Sequence, residues 1–440
     1  MLWDDDATKA HCGSVVARLW ISAAVALAAS LATVFWVFGN QGVVNNVGDP
    51  YDYGRIARGF LEHGFDKLTR RAAMLYPHLL AAVYWLGGSD VTVQVIQCFL
   101  HAGTTILTFS LASRLYNART AFIAALLTAL HPMLLRYVAD LHTETLLVFM
   151  SMSTVWCAVR FYDRPTIGNG ALLGAIGMIA TLTKGVMLPF VVVFGAGCAL
   201  RALRQPDRSI KRLGPVMAMF LTMAVVVAPW TYRNYQVSGG KFVPLTPGTA
   251  DAFLRGYIFT RLEFATLQKP PYVDAENESN ALFRGIAKQA GVTWSDDEVV
   301  DEVNNQRVMK QMIIRHPFET ARKVVVGFFT FWYEMTSLTN SLVPAALAVA
   351  GWALAFVGLR RGRGENRPSW LLLLPILVLN VFVATLVPLG RYSVPVLPCL
   401  AILAAFGVDT LLGPTGRRER VLLPLLGKEH LNVGHIRTAD

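Results

Sequence analysis

The sequence predicts an all-helical polytopic membrane protein, and three observations carry that reading. Of 440 residues, 54% are hydrophobic and 16% charged, and the mean hydropathy is +0.44, above the range of a soluble enzyme. The apolar residues gather into Leu19 to Phe38, Val91 to Leu111, Gly170 to Leu182, Val186 to Leu200, Val216 to Trp230, Leu342 to Leu359 and Trp370 to Leu389. In lipid a helix is the way such a run satisfies its own backbone amides. The 40 basic residues exceed the 29 acidic ones and fall mainly in short links between the runs, a pattern of cytoplasmic retention rather than nucleic-acid binding.

Taken in order, residues 1–15 carry both charge signs and form a cytoplasmic N-terminus. Helix 1, about Val16 to Phe38, lacks a small-residue cleavage signature and reads as a retained helix. Residues 39–89 form the first external loop. Within it LYPHLLAAVYWLGG is too short to span comfortably and reads as an interfacial or re-entrant helix, anchored by Tyr76, Tyr84 and Trp85. Helix 2 runs from Val91 to Tyr116, and Arg114 and Arg119 mark its link to helix 3 as cytoplasmic. Helix 3 reaches about Tyr137 and helix 4 covers about Thr143 to Phe161, with Arg160 and Arg164 marking the inside.

The stretch Gly170 to Leu203 holds two helices with a turn near Lys184, and RALRQPDRSIKR returns the chain to the cytoplasm before helix 7, Gly214 to Trp230. Residues 16–230 thus form an N-terminal membrane module. Residues 231–317 are the longest nonmembrane segment, near neutral and helical in its later half, and the candidate for an extracytoplasmic lobe. The aromatic stretch Val324 to Tyr333 poses a parity problem: were it to cross, RRGRGENR would lie outside. The positive-inside bias makes residues 318–340 an interfacial helix. Residues 341–412 supply helices 8 to 10, residues 413–440 a cytoplasmic tail, and the total is about ten spans.

Five cysteines are present, four of them in apolar runs (Cys98, Cys157, Cys198 and Cys399), with no CxxC or Cys/His cluster. The composition therefore points away from a disulfide scaffold or a cysteine metal site. His78, His131 and His142 also miss the spacing of a helical zinc pair.

On this topology the polar residues at the outer helix ends share one face. They are Asp49, Asp52, Tyr53, Arg55 and Arg58 in the first loop; Arg136, Asp140, His142 and Glu144; Lys184; Arg233 and Asn234; and Arg391 and Tyr392. Charges gathered at one membrane face are a functional-site hypothesis, because isolated ones are costly there. Guanidinium and ammonium groups suit an anionic phosphate, and a carboxylate suits deprotonation of a hydroxyl. Structural readings compete: Asp49 as a helix cap before Pro50, Asp52 and Glu144 as first-turn carboxylates, Arg55 and Arg58 as lipid-headgroup contacts, and Lys184 and Arg391 as snorkelling cations.

The segments GDPYDYGRIARGFLEHG, YPHLLAAVYWLG, HPMLLRYVADLHTETL, GAIGMIATLTKGVMLP, APWTYRNYQVSGGKFVPLT and GRYSVPVLPCLAILAAFG, in that order and spacing, resemble the GT-C superfamily of membrane glycosyltransferases. The resemblance covers about residues 15–412 and is to the family 39 and 83 type, related to lipid A aminoarabinose transferases and protein O-mannosyltransferases. It implies a GT-C fold and an extracytoplasmic active site fed by a polyprenyl-phosphate sugar. The family pattern G-D-E-x-x-Y-x-x-I-A-R aligns with Gly48, Asp49, Tyr53, Ile56, Ala57 and Arg58, which puts the catalytic base on Asp49, and Pro50 stands at the second acidic position.

Asp52 and Glu144 are the further candidate carboxylates. Lys184 and Arg391, with Tyr392, Arg58 and Arg233, are the candidates for binding the donor phosphate. The implied reaction transfers a sugar to an acceptor hydroxyl on lipid, glycan or protein, in a bacterial inner membrane with the site facing outward. It requires no cofactor, although Glu144 and Asp49 could together hold a divalent metal. The competing classes are a flippase for lipid-linked sugars, which predicts an internal repeat the sequence does not display, a polysaccharide polymerase or ligase using a diphosphate lipid, and a noncatalytic scaffold.

Overall fold

The computed structural model describes residues 5–41, 49–64, 75–204, 210–243, 245–246, 248–260, 273–289, 291–293, 298–333, 338–362 and 368–413. Among the described residues the secondary structure is helical throughout. The membrane bundle is built from α1 (Asp5–Gln41), α4 (Asp90–Leu115), α5 (Ala118–Ala129), α6 (Pro132–Ala139), α7 (Glu144–Asp163), α8 (Ile167–Thr183), α9 (Leu188–Leu203), α10 (Gly214–Val237), α15 (Leu338–Arg361), α16 (Trp370–Ala384) and α17 (Leu397–Leu411). Two short helices, α2 (Asp49–His63) and α3 (Leu75–Trp85), lie between α1 and α4. A group of four, α11 (Thr249–Phe259), α12 (Val273–Gln289), α13 (Glu298–Arg315) and α14 (Pro317–Thr330), separates α10 from α15.

Among the described residues seven helices are long and apolar enough to cross a bilayer, or eight if α5 and α6 make one crossing. The apolar helices α8 and α16 are shorter, at 17 and 15 residues. Three local details depart from the sequence reading. Helix α1 starts at Asp5 rather than near Val16. The third expected span is broken by a 47° bend between α5 and α6, because Pro132 lacks an amide hydrogen and cannot continue the hydrogen-bond ladder. His131 caps the second half, its Nδ1 accepting from the Met133 amide at 3.3 Å. The last span opens with a 3-10 stretch, Gly390–Val396, before α17, with Pro395 and Pro398 at the junction.

The bundle core joins α4, α5, α7, α8, α9, α10, α16 and α17 through residues such as Phe109, Leu147, Met152, Phe190, Met219, Leu379 and Leu403. Between α8 and α10 the backbones nearly touch: a Cβ on Gly170 or Gly174 would lie 2.0 or 2.2 Å from the Pro215 or Met219 carbonyl oxygen. Small residues of this kind let helices approach in lipid, where no water-driven force presses them together.

One end of this bundle is basic. Arg114 at the end of α4 binds Asp163 at the end of α7 (2.7 Å), and Arg201 at the end of α9 lies 4.2 Å over the Tyr162 ring. Arg361 at the end of α15 donates to the Thr410 carbonyl at the end of α17 (3.2 Å).

The segment after α10 is more helical than its sequence suggests, since α11 and α12 precede the expected α13. These helices share a core of Phe253, Leu254, Tyr257, Phe283, Ile286, Val308 and Met312. Glu302 fastens α13 to the start of α11 by accepting the Ala250 amide at 2.9 Å. Helix α14 has 14 residues, a reach of about 21 Å against a hydrocarbon core of about 30 Å.

Candidate active site

At the bundle end opposite the basic one, α7 begins, α8 finishes and the 3-10 stretch enters α17; α2 lies against them. Asp49 opens α2, and its Oδ2 accepts from Arg391 Nη1 at 2.6 Å. Glu144 opens α7, is 1% exposed, and its Oε1 accepts from Lys184 Nζ at 2.8 Å. Lys184 stands where α8 stops, its backbone extended at φ −159° and ψ 124°, so its side chain leaves the helix and enters the site. The Thr143 hydroxyl donates to the second carboxylate oxygen of Glu144 at 3.1 Å.

Tyr392 joins the two ion pairs. Lys184 Nζ lies 4.3 Å from its ring centroid, and Arg391 Nη2 approaches its hydroxyl at 3.4 Å. Among the described residues the buried Arg391 Nε–H has no hydrogen-bond partner.

In the turn between α6 and α7, His142 Nδ1 lies 2.9 Å from Asp140 Oδ2, an ion pair only when the imidazole is protonated, with the Tyr137 ring 5.5 Å from the imidazole. Two glutamines on α4 hold this turn. Gln97 Nε2 donates to the Val138 and Asp140 carbonyls (2.8 and 2.9 Å), and Gln94 Nε2 to the Ala139 carbonyl (2.6 Å). Tyr76 on α3 donates to Gln97 Oε1 at 2.8 Å, and Tyr53 on α2 meets the Tyr76 ring edge-on at 5.6 Å. The three elements bearing Asp49, His142 and Glu144 are therefore cross-braced.

The charges set the state of Asp49. Burial pushes its pKa up, but Arg391 above all, with His142 and Lys184 behind it, outweighs burial and holds the carboxyl below its ordinary value. Asp49 is thus ionised at neutral pH. Burial, with the Asp49 and Glu144 charges adding to it, drives the Tyr53 phenol far above its usual range, so it stays protonated.

Of the sequence candidates, the structure gathers Asp49, Glu144, Lys184, Arg391 and Tyr392. Asp52 is 8% exposed and lies 3.6 Å from Arg55 along α2. Arg58 turns to Asp90 at 3.6 Å and lies 5.1 Å over Tyr84. Arg233 lies 5.0 Å over Trp230 and donates to Asn234 Oδ1 at 3.1 Å. The sequence reading left Gln94 and Gln97 out; their signal is two amides three residues apart inside an apolar run. Among the described residues no group of three or more His, Cys, Asp or Glu converges in a way that could hold a metal ion.

Residues 71–232 match the family model described as dolichyl-phosphate-mannose-protein mannosyltransferase. Three structures of the oligosaccharyltransferase from the archaeon Archaeoglobus fulgidus share the fold. AglB in complex with an inhibitory peptide and a dolichol-phosphate is 16% identical, with a TM-score of 0.54 over 89% of this chain and 50% of that one. The apo form is 15% identical, with a TM-score of 0.56 over 90% and 50%. The form tethered by a disulfide to an acceptor peptide containing the NVT sequon is 16% identical, with a TM-score of 0.55 over 90% and 49%. The chain thus spans about half the length of these structures, and at such identity the likeness is one of fold. No curated protein matches the chain. The matched family and the shared helical fold bear out the resemblance to the GT-C superfamily.

Proposed function

We propose that the protein transfers a sugar from a polyprenyl-phosphate donor to an acceptor hydroxyl on the outer face of a bacterial inner membrane. One observation carries the reading: two ion pairs, Asp49 with Arg391 and Glu144 with Lys184, meet on Tyr392. The matched family is described by a dolichyl-phosphate sugar, and one neighbour was solved with a dolichol-phosphate; both support a lipid-phosphate donor. The basic residues at the far ends of α4, α7, α9 and α15 support a cytoplasmic location for that end and an external one for the site.

The chemistry follows from the charges. The acceptor oxygen attacks the anomeric carbon while the bond from that carbon to the phosphate oxygen breaks. The hydroxyl proton passes to Asp49, and the bonding electrons leave with the phosphate. Arg391 and Lys184 stabilise the charge that develops there, so the leaving group needs no proton, and preorganised cations in a partly dry site supply this at little reorganisation cost. An ionised Asp49 is a weak base toward a free alcohol but a sufficient one as the attacking oxygen becomes acidic in the transition state.

Mass analysis of envelope lipids, glycans and proteins from cells with and without the gene tests the reading and identifies sugar and acceptor. Loss of one sugar with accumulation of its polyprenyl-phosphate form supports it. Unchanged glycosylation throughout contradicts it.

A further inference from the structure

A buried cation outside the site ties the α11–α14 group to the connection that carries Arg391. Lys323 on α14 is 1% exposed. Its Nζ donates to the Phe253 carbonyl on α11 at 2.6 Å and to the Thr385 carbonyl just after α16 at 2.7 Å. It also lies 3.7 and 4.9 Å from the Phe253 and Tyr257 ring centroids.

The connection itself is gripped on two sides. A Cβ on Gly256 of α11 would lie 1.8 Å from the Leu386 carbonyl oxygen and 2.5 Å from Lys323 Cε, and one on Gly327 of α14 would lie 2.9 Å from the Ala384 carbonyl oxygen and 3.0 Å from Pro388 Cγ. The Leu386 side chain packs on the core of α11, α12 and α13. Residues 385–389 then lead directly into Gly390 and Arg391.

We propose that Lys323 is a positioning residue for Arg391: its ammonium clamps residues 385–389 between α11 and α14, and so fixes where the guanidinium meets the donor phosphate. The proposal rests on the donor-phosphate reading of Arg391 given above. A lone ammonium suits this task because its N–H donors reach the backbone carbonyls of two segments at once.

The clamp has a titration of its own. Burial pushes the Lys323 ammonium down to about 7. Charged residues on the packed elements are Asp251 and Arg255 on α11, paired with each other at 3.0 Å, Asp301, Glu302, Arg307, Lys310 and Arg315 on α13, and Glu319 and Arg322 on α14, while α16 has none. The Tyr257 hydroxyl pairs with Thr320 Oγ1 at 2.7 Å. Because the folded value is lowered, the charged clamp is present below about 7 and is lost as pH rises through it.

The test uses the full chain in detergent, with amide hydrogen exchange and binding of polyprenyl phosphate as probes. Lys323→Met keeps the stem volume and removes the donor; Leu386→Ala, as a second variant, pulls the connection out of the α11–α13 core. Each should speed exchange at the Leu386, Val387 and Leu389 amides about tenfold and weaken polyprenyl-phosphate binding about tenfold at pH near 6. The affinity gap between wild type and Lys323→Met should narrow as pH rises through about 7, while the titration of the ligand's own phosphate is common to both proteins. Unchanged exchange in both variants, or faster exchange with wild-type binding, overturns the clamp. Wild-type protein that binds no polyprenyl phosphate overturns the donor reading instead, and the exchange data still decide the clamp.

Discussion

Asp49 Oδ2 and Arg391 Nη1 meet at 2.6 Å although 342 residues separate them in the chain. The contact closes the start of α2 against the lead-in of α17. It ties the proposed base to the proposed phosphate ligand, so each residue sets the orientation and charge of the other.

Arg391→Ala should reduce sugar transfer severely, by about 2–5 kcal/mol of lost binding to a partly desolvated phosphate. Arg391→Lys should recover part of it, since it keeps the charge and loses the planar fork. Transfer at the parental rate by Arg391→Ala would make Arg391 a partner of Asp49 alone.

The Asp49 and Arg391 pair also predicts a pH dependence of stability. The folded carboxyl sits below its ordinary 3.8, so its stabilisation is fully present above that value and is lost as pH falls through the folded one. The stability difference between wild type and Asp49→Asn should therefore be flat from about pH 8 to 5 and shrink below about pH 4. Denaturant titrations across that range check it; a gap that widens on acidification contradicts the pairing.

Glu144 and Lys184 separate stability from function. With Glu144 1% exposed, Lys184→Met leaves a buried carboxylate without a counter-ion and should cost about 3–5 kcal/mol. The double variant Lys184→Met, Glu144→Gln should regain most of that stability yet still fail to transfer sugar. A single variant as stable as wild type would mean that Lys184 only snorkels.

The bundle was legible because lipid forces apolar runs into helices, so Val91 to Leu111 or Leu342 to Leu359 could be little else. The bend at Pro132 was written in the sequence as well, but a helix reading that counts hydropathy passes over one proline. Within the site, Asp49, Lys184 and Arg391 stood out as charges beside apolar runs. Their pairing did not, because which cation meets which carboxylate depends on how α2, α7, α8 and α17 pack. For the same reason the sequence does not show that Arg58 faces Asp90, 3.6 Å away. Lys323 gave no signal at all: it follows Arg322 in an amphipathic helix, where a solvated lysine is the ordinary reading.

Orientation is open to direct labelling. In a background lacking native cysteines, single cysteines at Arg204 and Arg361 should react from the cytoplasmic side, and those at Arg255 and Arg315 from the outside. Reaction of Arg204 and Arg255 positions from the same side would contradict an odd number of crossings between them, and with it the external site.

The central claim is that Asp49 takes the acceptor's proton. Asp49→Asn keeps size and the capacity to lie at the start of α2, so the protein should fold, insert and still bind polyprenyl phosphate, while sugar transfer falls by about 10²- to 10⁴-fold. Asp52→Asn, paired with Arg55 rather than Arg391 at 3.6 Å, should lose less. Transfer rates of the purified variants, measured beside donor binding, are the deciding measurement. A folded Asp49→Asn that binds donor and has lost transfer is the predicted result, and near-normal transfer by that variant would contradict the account.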